Sequence, residues 1–288
     1  MSQTLLQSDR PFRSVLYIPG SKPRAIEKAR GLKVDAIILD LEDAVAPGEK
    51  VAARETVAEA LAQSFGPRTV LVRVNGADTE WGADDLDRLA LLGPDAILLP
   101  KVNGPEAIEA AAARASEGTR IWAMMETPEG ILNAAAIARA RGMGGFVLGT
   151  NDLAKEVGFQ TGGDRMAMMM SLQLCLLAAR AAGIPCIDGV YNAFKDEDGL
   201  RAECAQGRAL GMDGKTLIHP AQVAIANAAF APSAEEADLA RRQIAAFEEA
   251  VAQGQGVAVL DGRIVENLHV DTARKTLARL EAIAALEC

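Results

Sequence analysis

Acidic side chains occur in this sequence directly after short apolar runs, where a buried strand would end. Glu126 follows the apolar run 121–125, and Asp152 lies in the segment "GGFVLGTNDLA" (144–154). Carboxylates that converge in one cavity repel each other unless a proton or a cation lies between them. Mg²⁺ takes one or two protein carboxylates and completes its octahedron with water and substrate oxygens. We therefore predict that Glu126 and Asp152 bind Mg²⁺, with Mn²⁺ as an alternative ion.

One arginine, Arg73, ends another apolar run, in the motif "VRVNG". A guanidinium is rarely a core group, and its planar fork suits a bidentate grip on a carboxylate. We predict that Arg73 binds a carboxylate of the substrate. The alternative is an ion pair with Glu42 or Asp43, and both arrangements could hold in turn, before and after substrate binds. Asp43 is also a candidate catalytic carboxylate.

Further polar residues follow the remaining runs. They are Asp40, Glu42, Asn75, Lys101, Asn151, Asp188, Asn192, Lys215 and His219. For Asp40 and Asp188 we favour a structural role, as helix caps or as partners of Arg73 and Lys101. Asn151 is a candidate substrate-binding residue. We interpret His219 as part of a binding wall, since no second histidine lies near it in the sequence to support a metal site.

The overall charge is acidic, with a formal net charge of −9. A nucleic-acid-binding protein usually carries a basic surface, so we expect no nucleic-acid partner. An anionic ligand would need a local basic site, and the cluster Lys22, Arg24, Lys28 and Arg30 could supply one. The alternative is that this cluster is the solvated face of a helix.

Eight short apolar runs, each followed by a helical pattern, must position these side chains. They span 14–20, 35–45, 69–76, 95–102, 120–130, 144–154, 184–192 and 214–220. The runs are continuous rather than alternating, which is typical of parallel strands buried on both faces. Eight such units predict a (β/α)8 TIM barrel over residues 1–230, whose site lies at the carboxyl ends of the strands. The alternative is a doubly wound sheet, but no GxGxxG turn follows the first run.

A C-terminal helical extension, residues 231–288, follows the predicted barrel. Residues 233–254 and 269–286 have helical patterns, and 257–267 resembles a hairpin with Asp261–Gly262 at its turn. The barrel does not need this segment. We expect it to cover the site, either of its own barrel or of a neighbouring subunit.

The sequence has neither an apolar run of 18 residues nor a typical signal peptide at its N-terminus, so we expect no membrane partner. Its four cysteines form no CxxC pair and are interpreted as reduced thiols. These features predict a cytoplasmic protein.

The motifs at the strand ends, taken together, resemble those of the citrate lyase β-subunit-like branch of the HpcH/HpaI aldolase superfamily. They are "RSVLYIPGSKPRAIEKA", "DLEDAVAPGEK", "VRVNG", "METPEG", "GTNDLA" and "GKTLIHPAQ", in this order over residues 13–222. The resemblance implies that Glu126 and Asp152 are the Mg²⁺ ligands and that Arg73 holds the acyl carboxylate. It further implies that Tyr17, Lys22, Lys28, Ile218 and His219 line a coenzyme A site. We expect an acyl-CoA substrate and a homo-oligomer, a trimer or a hexamer.

Within this branch the chain is most similar to proteins that act on malyl-CoA, of which some are lyases and others hydrolyse (3S)-malyl-CoA to malate and CoA. Lyases of the branch carry an aspartate in a C-terminal "dGkmiD" pattern, where this chain has "LDGRIVEN" with Glu266. The longer carboxylate favours hydrolysis and makes Glu266 a candidate catalytic residue, offered to the neighbouring subunit. The alternative is that Glu266 pairs with Arg263 or caps the final helix. The alternatives are a malyl-CoA or citramalyl-CoA lyase and a non-catalytic acyl-CoA-binding subunit.

Overall fold

The computed structural model describes residues 10–160 and 165–287. Eight parallel strands form a closed barrel in which each strand pairs with the next and β1 also pairs with β8. The strands are β1 (Ser14–Pro19), β2 (Ala36–Asp40), β3 (Thr69–Arg73), β4 (Ala96–Leu99), β5 (Arg120–Met125), β6 (Met143–Leu148), β7 (Cys186–Asp188) and β8 (Gly214–Leu217). The predicted (β/α)8 barrel is confirmed.

Side chains along each strand alternate between two apolar clusters. Val15 and Tyr17 of β1 join a cluster made of strand residues and Phe12, which fills the barrel interior. Leu16 and Ile18 belong to the larger cluster that also contains the helix residues. Because both faces are covered, the strands require continuous apolar sequence, which explains the pattern of the runs.

Helices cover the outside of the barrel. They are α1 (Pro23–Ala29), α2 (Lys50–Leu61), α3 (Gly82–Leu89), α4 (Pro105–Ala112), α5 (Pro128–Leu132), α6 (Ala134–Ala138), α7 (Thr150–Val157), α8 (Met169–Ala182), α9 (Glu197–Leu210) and α10 (Val223–Phe230). Two successive helices follow β5 and two follow β6. Proline lies at the start of α1, α4 and α5, where its fixed φ suits the first helical turn.

The chain divides into two compact units, of which the barrel is residues 12–230. The described part of the other unit is residues 10–11 and 231–287. It contains α11 (Ala234–Ala252), the antiparallel strands β9 (Ala258–Leu260) and β10 (Arg263–Val265), and α12 (Asn267–Glu287). Asp261 and Gly262 join the strands with φ of 50° and 74°, as a tight hairpin turn requires.

Ser233 begins α11 with a capping box: its hydroxyl accepts the Glu236 amide, and the Glu236 side chain accepts the Ser233 amide. Ala250, Ala258, Val265 and Val270 form the small core of this unit. Within the described residues, we find no helix long and apolar enough to cross a membrane.

Candidate active site

A cavity of about 310 Å³ lies at the carboxyl ends of the barrel strands. The residues that line it come from the carboxyl-terminal parts of β1, β2, β3, β5 and β6 and from the segments after β2, β5, β6, β7 and β8. The predicted site residues among them are Tyr17, Asp43, Arg73, Glu126, Asn151, Asp152 and Ile218. The structure therefore brings together side chains that are up to 201 residues apart in the sequence, from 17 to 218.

Arg73 is held by three carboxylates inside this cavity. Its Nε and Nη2 donate to the two oxygens of Asp40 at 2.7 and 2.6 Å, which is a bidentate pair. Its Nη1 lies 2.7 Å from Glu42 Oε2 and 3.2 Å from Asp43 Oδ2. The ring of Tyr17 lies 4.9 Å from the guanidinium carbon. The ion pairs of Arg73 with Glu42 and Asp43, which were the alternative to substrate binding, are thus present. Asp40 has the structural role predicted for it, as a partner of Arg73.

The three ion pairs of Arg73 differ in strength. Burial opposes its charge, but the adjacent Asp40 outweighs burial and raises the pKa of Arg73 well above its usual value. Asp40 is buried and bidentate, whereas Asp43 contacts Arg73 through one oxygen and is 69% exposed. Since exposed single contacts contribute little free energy, Asp43 is the partner that a ligand displaces most easily.

Glu126 lies directly after β5 and is only 1% exposed. Its Oε1 accepts the backbone N–H of Lys101 at 2.8 Å. Gly149 leaves the space that the carboxylate needs, because a Cβ at this position would lie 2.4 Å from Glu126 Oε2. Burial raises the pKa of Glu126 to about 7, with further contributions from the negative charges of Glu42 and Asp152.

The acidic side chains of the cavity have the chemistry that the expected metal ion requires. Glu126 and Asp152 are hard oxygen donors on adjacent strand ends, and the charge of Glu126 is poorly compensated by the protein. Within the described residues no group of three or more His, Cys, Asp or Glu side chains could hold a metal. A two-carboxylate site fits Mg²⁺, which keeps most of its positions for water and substrate, and does not fit a closed structural site. The residues present therefore fit Mg²⁺.

Acidic pH is expected to weaken Mg²⁺ binding. Below the pKa of about 7, Glu126 is protonated in the metal-free protein, so the ion must displace a proton. The affinity should fall by about tenfold for each pH unit below 7 and level off above it. Calorimetric Mg²⁺ titrations at pH 6, 7 and 8, in two buffers of different ionisation enthalpy, would measure both the affinity and the proton release. Equal affinity at pH 6 and pH 8 would contradict this role of Glu126.

Asp188 and Lys215 form a separate buried cluster outside the cavity lining. Arg165 Nη1 donates to both oxygens of Asp188 at 2.8 and 2.9 Å. Lys215 Nζ lies 3.2 Å from Asp188 and 2.5 Å from Glu203. Burial opposes ionisation of Asp188, but Lys215 and Arg165 outweigh it and lower its pKa. The structural role predicted for Asp188 is present, but the partners expected for it, Arg73 and Lys101, were wrong.

The candidate coenzyme A residues are divided between the cavity and its surroundings. Tyr17, Asn151 and Ile218 line the cavity, and Asn151 forms a reciprocal pair of amide hydrogen bonds with Asn192. His219 is outside the lining. Its ring stacks on Phe194 with centroids 4.8 Å apart, and its Nδ1 accepts the amide of Ala221.

Lys22 and Lys28 are exposed at α1 and do not line the cavity. Arg30, from the same basic cluster, instead bonds the carbonyls of Ala60, Gln63 and Ser64. This cluster is therefore partly structural and partly the solvated helix face that was the alternative.

Glu266 belongs to the second unit, where it directly precedes α12 and is exposed. Its backbone N–H donates to His269 Nδ1, and its carbonyl accepts the amides of His269 and Val270. Among the described residues the Glu266 carboxylate has no ion pair. Its proposed role in a neighbouring subunit stays a prediction.

Two buried side chains at the site were not predicted. Lys50 Nζ donates to the carbonyls of Leu41 and Glu42 at 2.9 Å each and to Asn75 Oδ1 at 2.5 Å. It therefore fixes the segment that carries Asp43 to the end of β3. Gln222 connects the segments after β7 and β8. Lys50 ends the motif "DLEDAVAPGEK" and Gln222 ends "GKTLIHPAQ". Their residue types alone did not show that these side chains are buried and connect two segments.

The chain is similar to known proteins over most of its length. Residues 13–220 match the family model of the HpcH/HpaI aldolase/citrate lyase family, and residues 163–282 match a model described as a C–C bond lyase of the TIM-barrel fold. The chain is 63% identical over 276 residues to the (3S)-malyl-CoA thioesterase of Cereibacter sphaeroides, covering 96% of each chain. It is 35% identical to the citrate lyase subunit beta of Escherichia coli, covering 94% of each chain.

A solved structure is similar over nearly the same length. It is the protein CitE of Mycobacterium tuberculosis in complex with magnesium, acetoacetate and coenzyme A. The TM-score is 0.81 at 30% identity, over 96% of this chain and 100% of the other. The family resemblance inferred from the motifs is thereby confirmed.

Proposed function

Since this chain belongs to the HpcH/HpaI aldolase/citrate lyase family, we propose that it hydrolyses (3S)-malyl-CoA to malate and CoA with Mg²⁺ as cofactor. The observation that carries the proposal is the high identity, over nearly the whole chain, to a (3S)-malyl-CoA thioesterase. The cavity supports this proposal, because Glu126 and Asp152 fit Mg²⁺ and Arg73 is suited to a substrate carboxylate. A simple CoA-binding subunit needs neither feature.

In the proposed mechanism Glu126 and Asp152 hold the metal. When bound, Mg²⁺ supplies positive charge that orients and polarises the oxygens of the acyl group. Arg73 binds the distal carboxylate of the malyl group, which replaces the exposed Asp43 at Nη1 while Asp40 keeps its bidentate contact and Glu42 keeps its contact with Nη1. This exchange needs no reorganisation of the buried Arg73–Asp40 pair, so the guanidinium is already oriented when substrate arrives.

The hydrolytic step needs a base for water. Asp43, released from Arg73, is one candidate, and Glu266 of a neighbouring subunit is the other. The carboxylate accepts a proton from water as the water oxygen bonds to the thioester carbonyl carbon. The C–S bond then breaks, malate leaves with the new oxygen, and the sulfur of CoA takes up the proton. Lys22 and Lys28 are proposed to attract the CoA phosphates from their exposed positions beside the end of β1.

A carbon–carbon lyase is the second candidate function. The similarity to citrate lyase subunit beta and the match to the lyase family model favour it. Incubation of the pure protein with (3S)-malyl-CoA and Mg²⁺ separates the two reactions. Free thiol and malate in equal amounts support the thioesterase, whereas acetyl-CoA and glyoxylate support the lyase. No turnover of any kind would favour the non-catalytic subunit.

Glu266→Gln is expected to lower hydrolysis by about 10²-fold if the carboxylate positions water in a neighbouring site, since small displacements of a reacting group have effects of this size. Binding of CoA should be unchanged. Mixing the variant with Glu126→Gln protein under subunit exchange should restore part of the activity, because some mixed sites would then have both carboxylates. Hydrolysis at the native rate by Glu266→Gln would remove this residue from the mechanism and leave Asp43 as the base.

Assembly and location are also proposals. We propose a homo-oligomer, a trimer or a hexamer, in which the second unit reaches a neighbouring subunit. Val259 and Ile264 support this, because they pair across the hairpin and are both exposed apolar side chains.

We also propose that the protein is cytoplasmic. The free thiols of Cys175, Cys186 and Cys204, all buried, support a reducing compartment.

A further inference from the structure

Gln222 is a buried amide that joins two segments of the cavity wall. It ends the short 3-10 turn Pro220–Gln222 that precedes α10, and its side chain is 1% exposed. Its Oε1 accepts the backbone N–H groups of Ile218 at 2.9 Å and His219 at 3.2 Å. Its Nε2 donates to the carbonyl of Tyr191 at 2.9 Å. The oxygen faces two donors and the nitrogen faces an acceptor, so the orientation of the amide is determined.

The two joined segments both contact the cavity. Val190 and Asn192 line it from the segment after β7, and Ile218 lines it from the segment after β8. A second contact between the segments is the stack of Phe194 on His219. That stack is exposed, whereas the Gln222 amide is shielded from water. Because an unsatisfied buried amide or carbonyl is costly, Gln222 is the stronger constraint on the relative position of the two segments.

The barrel order places this wall away from Arg73. In a closed barrel of eight strands in chain order, β7 is four strands from β3 in either direction, so the two are diametrically opposite. If Arg73 at β3 holds the acyl carboxylate, the thioester and the rest of the CoA moiety extend towards β7, β8 and β1. The wall fixed by Gln222 is therefore on the CoA side of the site.

We infer that Gln222 is a positioning residue for the CoA moiety, one that sets substrate affinity without taking part in bond cleavage. This inference rests on the proposed acyl-CoA activity. Gln222 acts through the backbone of Tyr191, Ile218 and His219, and its own side chain has no free polar atom directed into the cavity. Arg73 and the proposed metal ligands Glu126 and Asp152 are attached to β3, β5 and β6, so we expect them to keep their positions when this amide is lost.

Gln222→Met keeps the length of the side chain and removes all three hydrogen bonds. We expect KM for (3S)-malyl-CoA and the dissociation constant of free CoA to rise together, by about tenfold. We expect kcat to stay within about twofold of native, and the preference for malyl-CoA over acetyl-CoA to be unchanged. A loss of kcat at unchanged KM, or a changed acyl preference, would overturn the inference.

Gln222→Glu gives an independent test through pH. An ionised carboxylate cannot donate to the Tyr191 carbonyl and is repelled by it, but a protonated one can donate. Burial raises the pKa of a carboxyl at this position, so the ratio of variant to native CoA dissociation constants should be smallest at acidic pH and reach about tenfold at pH 8, where the carboxylate is ionised. A ratio near one at pH 8 would overturn the inference, because the ionised side chain would then have lost its contact with the Tyr191 carbonyl without any effect on CoA binding.

Asn227→Leu is the matched control. Asn227 lies in α10, five residues after Gln222, and its Nδ2 donates to the carbonyl of Lys33 before β2, at the other end of the barrel. This variant should lose stability without any change in CoA affinity.

Calorimetry with free CoA needs no turnover, so it separates the positioning role of Gln222 from the proposed hydrolysis of malyl-CoA. If native protein binds CoA but does not hydrolyse malyl-CoA, the proposed function fails and the affinity ratios still decide the role of Gln222. If native protein binds no CoA, the positioning role is wrong as well.

Discussion

Replacing Glu126 with glutamine is expected to abolish Mg²⁺ binding and to lower kcat/KM for (3S)-malyl-CoA by about 10³-fold. The reason is that a two-carboxylate site loses half of its protein charge, and the metal contributes several kcal/mol of charge stabilisation. Glutamine keeps the size of the side chain and the acceptor for the Lys101 amide, so the barrel should fold normally. Asp152→Asn should have the same direction of effect. Calorimetric Mg²⁺ titration together with steady-state kinetics would measure both quantities.

The stability of Glu126→Gln supplies a second readout. The pKa of Glu126 is raised in the folded protein. The free energy of unfolding therefore falls as pH rises from the pKa of this carboxyl in the unfolded chain towards its folded value of about 7. Removing the charge should therefore raise the melting temperature of the metal-free protein at pH 8, and should change it little at pH 4.5. The control is Glu129→Gln, an exposed carboxylate three residues away in α5, which should alter neither activity nor stability. Near-native turnover by Glu126→Gln after treatment with a chelator would refute the metal site.

Arg73→Lys is expected to have the second largest effect, a loss of about 10²-fold in kcat/KM for malyl-CoA. Lysine keeps the charge but loses the planar fork, which contacts Asp40 through Nε and Nη2 and is proposed to bind a substrate carboxylate through Nη1. Activity on acetyl-CoA, which lacks the distal carboxylate, should change much less. The ratio of the two activities is thus the diagnostic measurement. Native protein that hydrolyses acetyl-CoA and malyl-CoA equally well would show that Arg73 does not select the acyl group.

A control must separate specificity from the loss of a buried ion pair. Arg13 and Asp35 form the same kind of bidentate pair, at 2.9 and 2.8 Å, at the other end of the barrel. Arg13→Lys should cost about 1–3 kcal/mol of folding free energy, as Arg73→Lys should, without changing the ratio of activities. Asp40 in the Arg73→Lys variant keeps the backbone amides of Glu42 and Ala44 as donors, which limits its destabilisation.

The fold was predictable because parallel barrel strands are buried on both faces and leave continuous apolar runs. Candidate site residues were predictable for a related reason: a polar group that ends such a run must lie at the same rim as the others. The pairing of Asp40 with Arg73 follows from strand register, since the two are directly opposite on β2 and β3. The family resemblance then supplied the predicted roles of Glu126 and Asp152 as Mg²⁺ ligands, which stay a prediction.

Other features depend on contacts that no local pattern encodes. Asp188 pairs with Arg165, which lies outside every strand and enters the cluster from the segment before α8. Lys50 and Gln222 are polar residues at helix starts, where surface positions are the normal expectation. Their burial results from the close approach of neighbouring strand ends, which only the closed barrel produces. Lys22 and Lys28, although close to β1 in sequence, are exposed at α1 and lie outside the cavity lining.

The diametric placement of β3 and β7 has a consequence for changing the substrate range. Arg73 with its carboxylate partners, and Gln222 with the two segments that it joins, share no side chain and belong to opposite halves of the rim. Substitutions at such separated positions contribute nearly independently to free energies. A library that varies the segments after β2 and β3 should therefore yield variants with new acyl preferences that keep their affinity for CoA. Selection for a thiol other than CoA should act on the segments after β7 and β8. The acyl preference and the thiol preference can therefore be evolved in either order.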